Sequence, residues 1–165
     1  MIINPFSSTS LEAAILWIEA HPGLTIGLTS GTFDLFHDFH LRFLLRCRRQ
    51  CDVLIVGVDS DAEVRRTKGE DRPVMSEFQR EMLLDSNKHV TFAFIQDGVA
   101  DFQRVAEALI GIRGGKVFRN DLFAGRENEV ALGTAKDKAQ VIIIPDMDEL
   151  DSTSAIVKKI GHQGD

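Results

Sequence analysis

Short apolar runs alternate along the chain with stretches whose apolar residues recur every three or four positions. Ser10 as a cap, an apolar face through Trp17 and Ile18, and Pro22-Gly23 as a stop predict a helix over about 10–21. Residues 24–29 read as a strand, and 38–50 as a helix carrying Leu41, Leu44 and Leu45. Residues 53–58 form a nearly continuous apolar run, the mark of a strand covered on both faces. Further along, the pattern predicts a helix over 77–86, a strand over 90–95 and a helix over 101–112 with Val105, Ala108, Leu109 and Ile112 on one face. A short strand over 116–118, a helix over 129–139, a buried strand over 141–144 and a closing helix over 152–160 complete it. Five apolar strands separated by helices predict an α/β fold with a doubly wound, five-stranded parallel sheet. Such sheets bind ligands outside the carboxyl ends of their strands, so function is expected in the loops after Thr29, Val58, Phe118 and Ile144.

Composition narrows the picture. The chain has 165 residues, 44% apolar and 27% charged, with a net charge of -6, which suits a single domain over 1–165 with its core over about 24–160. Two Cys cannot build a disulfide scaffold, no apolar run is long enough to span a bilayer, and residues 1–10 lack the basic start and apolar stretch of a signal peptide. A soluble, cytoplasmic setting without membrane contact is the expectation. Cys47 and Cys51 lie four apart with no completing cluster, so no metal site is read there; they are expected to be buried small thiols. The acidic balance argues against a nucleic-acid partner, because such binding rests on many Lys and Arg releasing counterions. Between Arg42 and Arg72, however, eight basic residues face six acids, which leaves +2 there and -8 elsewhere. A local cationic zone on an anionic body fits a small phosphorylated ligand.

That zone directly follows the segment Thr29-Ser30-Gly31-Thr32-Phe33-Asp34-Leu35-Phe36-His37-Asp38-Phe39-His40. Gly31 is expected to allow a sharp turn with free amides, flanked by hydroxyl donors. His37 and His40, three apart at a helix start, project from one face, where unpaired amides and a partial positive charge also favour an anion.

The Gly-Thr-Phe-Asp loop followed by His-x-x-His resembles the signature of the cytidylyltransferase-like nucleotidyltransferases. Residues 52–61, then Arg66-Thr67-Lys68-Gly69-Glu70-Asp71-Arg72-Pro73-Val74, then Arg80, are similar to the adenylyltransferase domain of bacterial heptose-phosphate enzymes. The glycerol-3-phosphate cytidylyltransferases share the frame with a different loop at 68–74. Ser152-Thr153-Ser154 is similar to the family's Ser-Thr-Thr helix start. The resemblance covers roughly residues 24–160 in order and spacing.

The resemblance implies a Rossmann-like nucleotidyltransferase that moves a nucleoside monophosphate from a triphosphate to a small phosphorylated sugar or polyol and releases pyrophosphate. ATP is favoured slightly over CTP through the 68–74 stretch. The resemblance places His37, His40, Lys68 and Asp34 in catalysis, with Lys68 in the loop after the second strand and Asp34 near the reacting phosphates and their Mg²⁺. It places Thr32, Phe33, Phe39, Arg119, Asp121, Ser152, Thr153 and Ser154 around the nucleotide, and Arg80 on the acceptor substrate. Mg²⁺ would enter with the triphosphate, and a homodimer is the expected state. Three positions depart from the family pattern: Phe39 replaces a glycine between the histidines, Asn120 a glycine before the aspartate, and Asp146 an arginine of the glycerol-phosphate branch. They leave an alternative, a nucleotide- or sugar-phosphate-binding module that keeps the fold without turnover.

Overall fold

A computed structural model describes residues 11–145 of the chain. Its elements run α1 (Leu11–Glu19), β1 (Ile26–Gly31), α2 (Asp38–Arg48), β2 (Val53–Asp59), α3 (Asp61–Lys68), α4 (Glu77–Asp85), β3 (Phe92–Gln96), α5 (Gly98–Arg113), β4 (Gly115–Asn120) and β5 (Ala139–Ile144). The five strands are parallel and lie in the order β3-β2-β1-β4-β5. The predicted sheet is therefore present, with strand order reversing between β1 and β4.

Strand β2 shows why its sequence is apolar throughout. Val53 and Ile55 enter one core cluster with Ala14, Ile18, Val105 and Leu109 of α1 and α5, whereas Leu54, Val56 and Val58 enter the other with Leu44, Cys47 and Leu84 of α2 and α4. Alternate residues of a strand face opposite sides, and helices cover both. Both cysteines are buried, as expected, and burial pushes the Cys51 thiol up to about 11.

Two predictions fail for local reasons. Helix α3 escaped detection because only Val64 of its eight residues is buried, so it carries no apolar stripe. Its signals were polar: Ser60 caps Glu63 N at 3.1 Å, acids occupy the first turn and bases the last. The helix expected over 129–139 is absent. Two single 3₁₀ turns, Glu127–Glu129 and Gly133–Ala135, stand there, and β5 already begins at Ala139. Here the chain crosses close to α5, where Thr134 N donates to Glu107 Oε1 at 2.9 Å; Gly133, at φ +50°, has no room for a Cβ beside Glu107. The closing helix expected over 152–160 lies outside the described residues.

Candidate active site

The reversal of strand order opens the sheet. β1 follows β2 in register from Ile26 to Gly31, but pairs with β4 only at Gly27 with Lys116 and Leu28 with Val117. Beyond that point side chains bridge the gap. Thr29 Oγ1 donates to the Phe118 carbonyl at 2.9 Å, and Arg119 Nη1 donates to Ser30 Oγ at 2.9 Å. A cavity of about 450 Å³ lies there, at the carboxyl ends of β1 to β4. It is lined by Thr32, Phe33, Asp34, Phe39, His40, Lys68 and Arg119 among the expected residues, and also by Asp59, Arg72 and Gln96.

The loop after β1 bends at residues other than the glycine. Gly31 closes the strand without a positive φ, whereas Phe33 and Leu35 adopt φ of 52° and 47°, a conformation that side chains rarely accept. What holds them is a set of contacts to Asp34 and Arg80. The Asp34 carboxylate accepts from Arg72 Nε (3.0 Å) and Nη2 (2.8 Å), Val74 N (3.0 Å), Met75 N (3.0 Å) and Leu35 N (3.1 Å). Burial alone would raise this carboxyl, but the Val74 and Met75 amides and the Arg72 guanidinium hold it below the usual carboxylate range. In this geometry Asp34 ties the segment between α3 and α4 to the β1 loop, and its two oxygens are turned to those donors.

The resemblance implies a substrate contact for Arg80, whereas the structure places it 0% exposed and outside the residues that line the cavity. Its guanidinium donates to the carbonyls of Met75 (3.0 Å), Thr32 (2.7 Å) and Asp59 (2.8 Å) and to Asp61 Oδ1 (2.7 Å). A planar fork with donors on every side fastens the ends of β1 and β2 to the start of α4.

His40 stands in the cavity wall in the first turn of α2, among the rings of Phe33 (5.3 Å between centroids), Phe36 (5.5 Å) and His37 (4.1 Å). Burial, then His37 and Lys68, push its pKa down to about 3, so the ring is neutral near pH 7. The His37 amide donates to His40 Nδ1 at 3.4 Å, which assigns the proton to Nε2 and makes that atom a donor. His37 caps α2 beside it and is not among the cavity-lining residues. Phe39 lines the cavity, with its ring 6.1 Å from that of His40.

Lys68 ends helix α3 and so is placed by a helix, not by the loop expected there. Partial desolvation and the neighbouring Arg72 lower its ammonium pKa, against Asp59 and Asp34, which raise it. Arg119 lies with its guanidinium 4.1 Å from the centre of the Phe102 ring, and burial lowers it to about 10 despite Asp59, so it remains a cation. Asp121 is exposed and does not line the cavity; Asn120 and Leu122 on either side of it do. Ser152, Thr153, Ser154 and Asp146 lie outside the described residues.

Asp59 and Gln96 were not singled out from the sequence. Both are the last residues of their strands, a position that would have found them, since this is where such sheets bind ligands. Among the described residues no group of three His, Cys, Asp or Glu side chains is placed to hold a metal ion.

Comparison with known proteins agrees with this architecture. The sequence profile of the cytidylyltransferase-like family matches residues 28–159. The bifunctional protein HldE of Campylobacter jejuni is 36% identical over 135 residues, which covers 82% of this chain and 27% of that protein. HldE of a Nitratiruptor species is 35% identical over 140 residues, covering 84% and 28%. The chain thus spans about a quarter of the length of these curated relatives. The crystal structure of the lipopolysaccharide core biosynthesis protein from Thermoplasma volcanium shares the fold, with a TM-score of 0.60 at 21% identity over 76% of this chain and all of that one. With a profile match across most of its length and relatives of this identity, the chain belongs to the cytidylyltransferase-like family of nucleotidyltransferases.

Proposed function

We propose that this chain transfers a nucleoside monophosphate from a triphosphate, ATP in preference to CTP, to a small phosphorylated sugar or polyol and releases pyrophosphate. The observation that carries this reading is the neutral His40, its Nδ1 held by the His37 amide, sharing one cavity with Lys68 at the split end of the sheet. An acceptor phosphate oxygen attacks the α-phosphorus, and the bond to the pyrophosphate oxygen breaks. The acceptor is already an anion, so the protein supplies position and charge stabilisation and needs no strong base. His40 Nε2–H donates to a phosphate oxygen as charge develops, and Lys68 offers a mobile point charge to the α-phosphate or the incoming phosphate. Arg119 belongs to the nucleotide side of this reading. Ser152, Thr153 and Ser154 are proposed for the β- and γ-phosphates by resemblance. The donor set described offers no resident metal cage, so Mg²⁺ belongs to this proposal only as the counter-ion that the triphosphate brings.

The test is pyrophosphate release from the four ribonucleoside triphosphates with Mg²⁺ and a panel of sugar and polyol phosphates. Release is expected with ATP and a hydroxylated phosphate ester, and His40→Ala should slow it by about 10²-fold or more, the usual loss for a transition-state donor. Nucleotide binding by calorimetry without release from any pair would favour the binding-module reading, which Phe39 in the cavity wall supports. Sedimentation of the purified chain checks the proposed homodimer.

A further inference from the structure

The ends of β2 and β3 form a part of the cavity that phosphate recognition leaves unexplained. Asp59 and Gln96 are register partners on adjacent strands, and both line the cavity. Gln96 Nε2 donates to Asp59 Oδ1 at 2.9 Å, and Thr32 Oγ1 donates to Asp59 Oδ2 at 3.2 Å. Because a carboxylate only accepts, it fixes the orientation of the amide, whose Oε1 then lies over Gly57. A Cβ on Gly57 would stand 2.3 Å from that oxygen, so the glycine leaves the space that the Gln96 amide occupies. The carboxylate is thereby aimed, and each oxygen retains the acceptor capacity for a further hydrogen bond.

Its surroundings select the kind of donor. Asp59 acts on the charges of both Lys68 and Arg119, so a cationic group arriving here meets two cations. An anionic group meets Asp59 itself. A neutral donor suits the position, and two hydroxyls on adjacent carbons match two carboxylate oxygens.

We propose that Asp59 determines acceptor specificity: its carboxylate, held by Thr32 and Gln96, accepts hydrogen bonds from vicinal hydroxyls of a polyol or sugar whose phosphate faces Lys68 and His40. This rests on the acceptor class proposed above and gives it a residue. Gln96 is the positioning residue.

The experiment compares the affinity of the full chain for propyl phosphate and glycerol 3-phosphate by calorimetry, which needs no turnover. Wild type should bind the hydroxylated ester at least about tenfold more tightly, since hydrogen bonds to a charged group discriminate strongly against an analogue that lacks the donor. Asp59→Asn should bring the ratio below about threefold. Gln96→Met, which leaves Asp59 in place but unaimed, should lower it partway and gives the same readout if Asp59→Asn fails to fold. A wild-type ratio near one, or a ratio unchanged in Asp59→Asn, overturns the proposal. So does a variant that loses only Mg²⁺-dependent nucleotide binding, because Asp59 would then serve the metal. An intact ratio without pyrophosphate release refutes nucleotidyl transfer alone; release with equal kcat/KM for both esters refutes the assignment of Asp59 alone.

Discussion

Replacing Arg80 by Met removes the guanidinium and keeps most of the aliphatic volume. Four hydrogen bonds of 2.7 to 3.0 Å vanish, and the carbonyls of Thr32, Asp59 and Met75 lose that donor. The Asp61 side chain is 24% exposed and can return to solvent, so its loss counts for less. Stranding each of the three buried carbonyls costs about 1 kcal/mol or more, and together they come to about 3–5 kcal/mol. For a chain of this size that lowers Tm by roughly 6–20 °C. Urea unfolding of the ligand-free protein, followed by circular dichroism, should show a lower midpoint with an unchanged slope. Arg80→Lys should recover little, because an ammonium cannot span donors set on three sides. A variant stable to within about 1 kcal/mol of wild type, but with a KM for the acceptor raised more than about tenfold, would falsify this account and restore Arg80 to the substrate.

Three further outcomes follow from the same geometry. Asp34→Asn should release the segment between α3 and α4, seen as faster amide hydrogen exchange at Val74 and Met75, whose N–H groups now donate to the carboxylate; unchanged protection at both refutes the tie. His40 titrates near 6.5 when unfolded and near 3 when folded, so in that window the unfolded chain holds the extra proton and stability falls as pH falls, by up to about 1.4 kcal/mol per unit. His40→Asn should flatten that slope between pH 7 and 4.5, and equal slopes in the two proteins count against a neutral His40. Phe39→Gly should lower KM for the nucleotide by opening the cavity wall, at about 1 kcal/mol of helix stability; a raised KM identifies Phe39 as part of an adapted pocket.

Legibility differed between levels of the structure. Periodicity located all five strands, because apolar runs such as that of β2 record burial on two faces at once. It missed α3 because that helix buries one residue and is recorded instead in its cap and end charges. Motif spacing brought His40, Lys68, Thr32, Phe33, Phe39 and Arg119 to one cavity. It also brought Asp34 there, but it could not show that Asp34 is tied to the scaffold as well, or that Arg80 lies buried behind the cavity. A motif records that a side chain is needed near a site, whereas its orientation depends on partners distant in sequence. Asp34 meets Arg72 across 38 positions, and Arg80 meets Thr32 across 48. Asp59 falls inside the 52–61 resemblance without a role of its own and Gln96 lies outside every quoted motif; their place at the ends of two adjacent strands is what marks them together.

The division of charge follows from that distinction. Arg72 lines the cavity but two of its N–H groups are directed to Asp34, and Glu63 lines it with its carboxylate bonded to Arg66. These pairs settle the scaffold and cancel much of their own field. The charges of Lys68 and Arg119 act in the cavity against Asp59. A phosphate ester arriving there meets a modest positive excess, and not the broad cationic surface of a polyanion binder. The low pKa of His40 belongs to the same balance: without an anion, burial and Lys68 oppose its proton, so the free protein presents a neutral donor. In the proposed reaction, bound phosphates would reverse the sign of that local field. The His40 proton would be held more strongly as negative charge grows toward the transition state than in the bound ground state, which is the differential that catalysis requires.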